Sequence, residues 1–512
     1  MKRALPWVVT LAASAAAVAL VATRPAQLPT YEAVRADYRP SEAWLLDRNG
    51  DVLDSRRIDL GVRRLAWTPL EAISPALSDT IVEREDRRFA QHRGVDWRAT
   101  AGALRDTLQG RRRGASTLTM QLAALLDAER DGHRHRGLGG KLRQARLALQ
   151  LESRWTKPQI LEAYLNLLPF RGELQGIGAA AWMLAGKTPA GLTRDESLVF
   201  AALLPHPSAR AESVARRACA GLPADCDALA ITARRLLARA PRQPLTESLA
   251  PHLAASLLRR AGERRTTTLD REVQRVASAA LTRQLDGLSG RNVRDGAALV
   301  VDNATGDVLA YVGSAGRTST ASAVDGVRAR RQAGSTLKPF LYGLALERRY
   351  LTAASLLDDS PVSIDTATGL YLPRDYDHRY KGAVSVRTAL AGSLNVPAVR
   401  ALQLVGVEPF RERLNDLGYA SIDQDGAYYG FALALGSAEV SLWEQASAFR
   451  SLALQGQGSD LRVLPDDVPA PLRSVASPAA AFVIADILSD RAARAITFGL
   501  DSSLATPYWS AV

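Results

Sequence analysis

Apolar and polar positions are spaced differently in successive parts of the chain, and that spacing divides it before any motif is read. Residues 4–23 carry no charge; Lys2 and Arg3 precede them and Arg24 follows. A helix crossing a hydrocarbon core needs about 20 such residues. A cleaved secretory leader is the competing reading, but the run is long and lacks a small-residue cleavage pattern, which favours an uncleaved anchor. Lys2 and Arg3 then stay in the cytoplasm, and everything after Arg24 lies across that membrane. After a polar spacer, Ala43 to Asp47 reads as a strand and Arg48-Asn49-Gly50-Asp51 as a turn, which predicts a hairpin within 42–58. From residue 70 to 204 apolar residues recur every three or four positions, most clearly in 117–126, 144–151 and 160–168. One mostly helical domain is expected there.

Residues 208–265 are rich in Ala, Arg and Pro without strand signals and read as a helical linker. Beyond Thr266 the period changes. Two strand-like runs, 297–302 and 308–312, flank the turn Asn303-Ala304-Thr305-Gly306-Asp307, and helical patterns follow at 339–347, 386–391 and 439–452. The second domain is therefore expected to be α+β. The expected organisation is a cytoplasmic tip and anchor at 1–24, a spacer and hairpin at 25–58, a helical domain at 59–215, a linker at 216–265 and the mixed domain at 266–512. No internal repeat is visible.

Composition adds charge to this outline. The 512 residues carry a formal charge of +12 and a pI near 9.9, which attracts polyanions: nucleic acid, anionic lipid or a pyrophosphate. No nucleic-acid recognition module accompanies the charge, so no nucleic-acid partner is expected. The two cysteines, Cys219 and Cys226, flank a turn-rich spacer that can close a disulfide in an oxidising compartment or leave two thiols.

Four segments of the helical region concentrate chemistry. Glu85-Asp86-Arg87-Arg88-Phe89, with His92, Gly94 and Asp96 behind it, ends a helical pattern and by itself reads equally as a salt-bridged helix end. Gly114-Ala115-Ser116-Thr117 leads into a helix containing Gln121, where hydroxyls and free N–H groups can seat phosphate oxygens or merely cap the helix. Lys141, Arg143, Gln144 and Arg146 share a third segment, and Glu162, Tyr164 and Asn166 a fourth. Gly132-His133-Arg134-His135-Arg136 reads as a basic loop rather than a metal site, lacking Cys or carboxylate ligands.

In this order the four segments resemble the motifs of glycosyltransferase family 51, the peptidoglycan glycosyltransferases, over about 44–207. The resemblance implies a mostly α, lysozyme-like domain that polymerises lipid II into glycan strands and releases undecaprenyl pyrophosphate. It makes Glu85 the base that deprotonates the acceptor 4-hydroxyl. It makes Asp86, Arg87, Arg88, Phe89, Ser116, Thr117, Gln121, Lys141, Arg143, Gln144, Arg146, Glu162, Tyr164 and Asn166 substrate-binding residues. No cofactor is required on this reading, although Mg or Mn can assist glycosyl transfer. Two positions depart from the family pattern: Gln144 stands where most members have a second glutamate, and Ala124 where Lys or Arg is common. Gln144 and the stretch Leu174-Gln175-Gly176-Ile177-Gly178-Ala179-Ala180 look like the 1C subtype.

In the mixed domain, Ser335-Thr336-Leu337-Lys338 places a hydroxyl and an amine one helical turn apart, and Ser393-Leu394-Asn395 follows. Together these resemble the penicillin-binding transpeptidase domain, a fold of the β-lactamase type. The resemblance implies that Ser335 is the acylated nucleophile, Lys338 its proton acceptor, and Ser393 and Asn395 a proton shuttle and peptide-orienting pair. Stem peptides and β-lactams are the implied ligands. No Lys-Thr-Gly follows Ser393, so this domain is expected to break off before its third motif and to be inactive as it stands. The implied location is the bacterial inner membrane, single-pass, with both domains periplasmic. A membrane-anchored scaffold with decayed sites is the alternative.

Overall fold

The computed structural model describes residues 28–109, 116–131, 137–220, 225–238, 247–366, 369–375 and 377–501. The expected anchor, Gly114, Ala115, the basic loop 132–136 and the chain's last residues lie outside these. Among the described residues no helix is long and apolar enough to cross a membrane. The chain forms two compact units, the first from residues before 44 with 56–245 and 259–263, the second from 44–55, 246–258 and 264 onward.

The first unit is helical, as its periodicity predicts: α1 (Tyr31–Asp37), α2 (Pro75–Glu85), α3 (Trp97–Leu108), α4 (Leu118–Asp131), α5 (Gly137–Glu152), α6 (Lys157–Leu167), α7 (Arg194–Leu203), α8 (Ala211–Cys219) and α9 (Cys226–Leu237). Its centre is α6 and α7. Each starts in a reciprocal capping box, Thr156 with Gln159 and Thr193 with Glu196, and each is buried along nearly its whole length. A helix buried on every face belongs in the middle of a bundle.

Within the linker expected at 216–265, residues 216–219 and 226–237 belong to helices of the first unit. Val214, Ala218, Leu229, Ala233 and Leu236 on α8 and α9 are buried in the first unit's core, and a Cys219–Cys226 disulfide ties the two helices together. The helical reading holds, but the Arg- and Ala-rich composition hid that the two helices are amphipathic and packed in a core. Apolar positions at 229, 233 and 236 are a helical stripe.

The hairpin forms as expected, from β1 (Glu42–Leu46) and β2 (Val52–Arg57), with β3 (Arg264–Thr266) parallel to β1 in register Trp44↔Arg264. Its residues 44–55 group with the second unit. That unit continues with α10 (Arg271–Gly287), which packs on the antiparallel pair β4 (Ala298–Val301) and β5 (Val308–Val312). Gln274 fixes the contact by trading both amide hydrogen bonds with the backbone of Tyr311 at 2.7 and 3.0 Å.

A helical cluster follows: α11 (Lys338–Glu347), α12 (Val386–Ala391), α13 (Asn395–Val405), α14 (Leu442–Ala453) and α15 (Pro478–Ser489). Beside it the strands Leu356–Asp359 and Gly382–Ser385 form an antiparallel pair. The helix expected from residue 439 starts later, at Leu442, because Ser441 and Glu444 form its capping box and Glu439–Val440 pairs as a strand with Arg331–Gln332.

Candidate active sites

Glu85 ends α2, where the helix gives way to an irregular Asp86. Its half-buried carboxylate accepts a hydrogen bond from Gln121 Nε2 at 3.1 Å. Gln121 Oε1 in turn accepts from the phenol of Tyr164 at 2.9 Å. Tyr164 lies inside α6, and burial followed by the charge of Glu85 holds its hydroxyl in the neutral, donating form. Three residues from three predicted motifs thus make one chain of hydrogen bonds, with Glu85 at its open end.

A second group lies at the start of α4. Lys141 Nζ, exposed on α5, donates to Ser116 Oγ at 2.8 Å and to Gln144 Oε1 at 3.1 Å. Gln144, one helical turn from Lys141, supplies the neutral acceptor that turns the amine toward Ser116. Arg87 is exposed two residues after Glu85, and Arg146 is half-buried on α5.

Several residues of these motifs are held by bonds within the unit. Asp86 is buried, accepts from the Leu118 N–H at 3.0 Å and from His92 at 2.9 Å, and so fastens the first turn of α4 to the first motif. Phe89 is buried, with Lys157 Nζ 4.3 Å from its ring centre. Thr117 is buried, donating to Gly94 O at 2.6 Å and capping Met120 N at 3.1 Å. Gly94 is itself required: at φ +86° a Cβ would sit 2.6 Å from Ala148 O. Arg88 grips Asp96 through both guanidinium arms, and Arg143 grips Asp127 at 2.7 and 2.8 Å. The Arg88 hydrogen bond first, against burial, holds the Asp96 carboxyl below its usual range.

The fourth motif is equally internal. Glu162 is buried and accepts from Trp67 Nε1 at 2.6 Å, from Leu70 N at 2.8 Å and from Tyr31. Asn166 clamps both backbone groups of Thr68 at 2.8 Å. These two brace the segment 67–70 against α6 and touch no open surface. Spacing alone could not separate them from Tyr164, which shares their helix and serves the site through Gln121.

In the second unit Ser335 lies exposed on a short 3-10 turn, Gly334–Leu337, just before α11. The turn is pressed on residues 436–438: Gly334 N donates to Gly436 O at 3.0 Å, and a Cβ on Gly436 would lie 2.0 Å from Gly334 O. Lys338, buried in the first turn of α11, donates to Ser393 O and Asn395 Oδ1, each at 2.7 Å, and reaches Ser393 Oγ at 3.4 Å. Burial pushes its pKa down from 10.5 to about 7, against the opposing pull of Asp375. Ser393 takes a positive φ of 55°, which turns both its carbonyl and its hydroxyl toward the amine.

Sequence reasoning missed Asp375. Its Oδ1 accepts from Asn395 N at 2.6 Å, and the neighbouring Arg374 O accepts from Asn395 Nδ2 at 2.8 Å. The Asp375-x-Asp377 stretch in a long loop was the only signal. Among the described residues no group of three or more His, Cys, Asp or Glu is close enough to hold a metal ion.

The helical unit thus holds a supported glutamate and an amine–hydroxyl cluster, and the mixed unit a buried lysine just after an exposed serine. Residues 52–222 match the transglycosylase family and residues 296–500 the penicillin-binding protein transpeptidase domain. The chain is 36% identical over 438 residues to penicillin-binding protein 1C of Escherichia coli, covering 83% of this chain and 55% of that protein. It is 30% identical over 445 residues to penicillin-binding protein 1F of Bacillus subtilis, covering 80% and 59%. A crystal structure of penicillin-binding protein 1A from Haemophilus influenzae shares the fold, with a TM-score of 0.55 at 18% identity over 88% of this chain and 80% of that one. The chain belongs to the class A penicillin-binding proteins and is similar to their 1C type. It spans little more than half the length of those curated relatives.

Proposed function

We propose that the first unit is a peptidoglycan glycosyltransferase acting on lipid II. The observation that carries this reading is the Tyr164–Gln121–Glu85 chain, which leaves a carboxylate held but not neutralised. Gln121, on α4, follows five residues after Ser116, the partner of Lys141. Glu85 removes the proton of the acceptor 4-hydroxyl as its oxygen bonds to the donor anomeric carbon, with inversion. The bond from that carbon to the pyrophosphate breaks, and cations take up the developing charge, Lys141 first and then Arg87 and Arg146. The test is polymerisation of lipid II by the purified chain in detergent: the wild type should build glycan and Glu85→Gln should not. A wild type that binds wall precursors without polymerising them would favour the scaffold reading instead.

We read the second unit as the peptide-crosslinking domain, with Ser335 the nucleophile for stem peptides and β-lactams and Lys338 its proton acceptor. A neutral amine near pH 7 with a fixed orientation suits that task. The Cys219–Cys226 disulfide supports a location on the oxidising, periplasmic side of the inner membrane.

A further inference from the structure

Behind Lys338 lie two carboxyl groups that the proposed chemistry does not use. Asp359, at the end of its strand, is fully buried, and Asp375 is 3% exposed. Each has one oxygen with a conventional partner. Asp359 Oδ2 accepts from Lys381 N at 2.7 Å, and Asp375 Oδ1 accepts from Asn395 N at 2.6 Å and Val396 N at 3.4 Å. The other oxygen of each, Asp359 Oδ1 and Asp375 Oδ2, is buried with no donor among the described residues. The two side chains lie within hydrogen-bonding reach of one another.

Two carboxylates with facing oxygens and no donor between them cannot both stay ionised in a buried site. One proton between them satisfies both orphaned oxygens at once. We propose that Asp359 and Asp375 share a single proton and so act as a positioning pair, which fixes the start of α13 and, through Asn395, the amine of Lys338. Asp375 lies over the first N–H groups of that helix, where a negative charge is favoured. Asp359 is the better proton carrier, since burial, followed by Asp375, lifts its pKa to about 6 against the Lys381 N–H. The charged groups around the pair are Lys338 on α11 and Lys381 beside Asp359. Lys381 is already paired with Asp377, and the nearby Arg400 with Asp358. The buried Tyr342 hydroxyl on α11 also lacks a partner and adds no charge. No other cation among those described neutralises the pair. Calling it a positioning pair rests on the acyl-transfer reading of Lys338; the shared proton does not.

Asp359→Asn separates the idea from a merely structural role, because an amide keeps an acceptor for Lys381 N and offers Asp375 a permanent donor. The sign follows from proton counts. Between the ordinary 3.8 and about 6 the folded protein binds the proton that the unfolded chain releases, so the wild type loses stability as pH rises through that window. Asp359→Asn should lack this loss, gaining in melting temperature over the wild type from about pH 4 to pH 6 and holding that gain above. Asp359→Ala should fall below both at every pH. Difference infrared spectra of the wild type at about pH 5 should contain a protonated-carboxyl band that Asp359→Asn removes. Parallel melting curves for wild type and Asp359→Asn, or no such band, would overturn the proposal. Neither readout needs acylation, so a chain whose Ser335 never reacts with penicillin would defeat the acyl-transfer reading and leave the pair standing.

Discussion

Gln121 Nε2 donates to the Glu85 carboxylate across 3.1 Å, so an amide on the second motif fixes the proposed base on the first. The amide cannot flip, because its oxygen is held by the buried Tyr164 phenol. One buried tyrosine therefore orients a group two side chains away.

The first prediction tests both ends of that chain. Glu85→Gln should lower the polymerisation rate at least a hundredfold, the usual weight of a general base, while changing stability by less than about 0.5 kcal/mol. Tyr164→Phe removes only the restraint on Gln121. It should cost about tenfold in kcat, the equivalent of one hydrogen bond of roughly 1.4 kcal/mol, with KM for lipid II unchanged. A raised KM at constant kcat would place Gln121 on the substrate instead.

Ala124 lies one helical turn beyond Gln121 on α4 and is half-buried. A cation placed there points to the same side as Gln121. Ala124→Lys should tighten donor binding by about 1 kcal/mol, roughly a fivefold fall in half-saturating lipid II. If the concentration dependence does not move, Lys141 and its neighbours already supply the charge.

The helices and the strand pairs were legible because their periods differ. Helix starts were less legible: the helix read from 439 begins three residues later, after the Ser441 capping box. Site residues were legible as motifs but not as roles. Glu85 and Glu162 both stand among charged or aromatic neighbours, yet one faces open surface and the other meets three buried donors from distant segments. Arg88 and Arg143, expected to bind substrate, pair with Asp96 and Asp127. Partners 8 and 16 residues away are set by loop paths that no local pattern encodes. Asp375 was missed for the same reason, being tied to Asn395 across 20 residues that include a strand and α12.

The contrast between the glutamates yields the second mutational pair. Glu162→Gln would turn one acceptor oxygen into a donor facing Trp67 Nε1, Leu70 N or Tyr31. Leaving a buried donor unmatched costs about 1–3 kcal/mol, more beside a charge. Chemical denaturation should show a loss of about 2–4 kcal/mol for Glu162→Gln and almost none for Glu85→Gln. Equal losses would contradict the division into a bracing and a catalytic glutamate.

The disulfide between α8 and α9 closes a short loop, with Cys219 and Cys226 seven positions apart. For so short a loop the chain-entropy contribution is about 2.5 kcal/mol. Replacing both cysteines by serine should lower unfolding stability of the first unit by about that amount in oxidising buffer. Wild type treated with a reductant should fall to the level of the double variant, and a reductant should leave the variant itself unchanged.

Lys338 gives the last prediction, a pH dependence running opposite to that of Asp359. Burial, opposed by Asp375, lowers the lysine from 10.5 to about 7 in the folded chain. Below pH 7 both folded and unfolded chains hold the proton, and the full penalty of burying an ammonium weighs on the fold. From pH 7 to 10.5 the unfolded chain keeps a proton that the folded one has shed, so this group's contribution to stability rises with pH. Lys338→Met removes the titration. The stability of wild type relative to Lys338→Met, measured by denaturant unfolding, should therefore climb steadily between pH 7 and 10 and stay flat below 7. A difference that is constant across that range would mean that Lys338 is an ordinary ammonium near pH 7, and an amine still carrying its proton could not take one from Ser335.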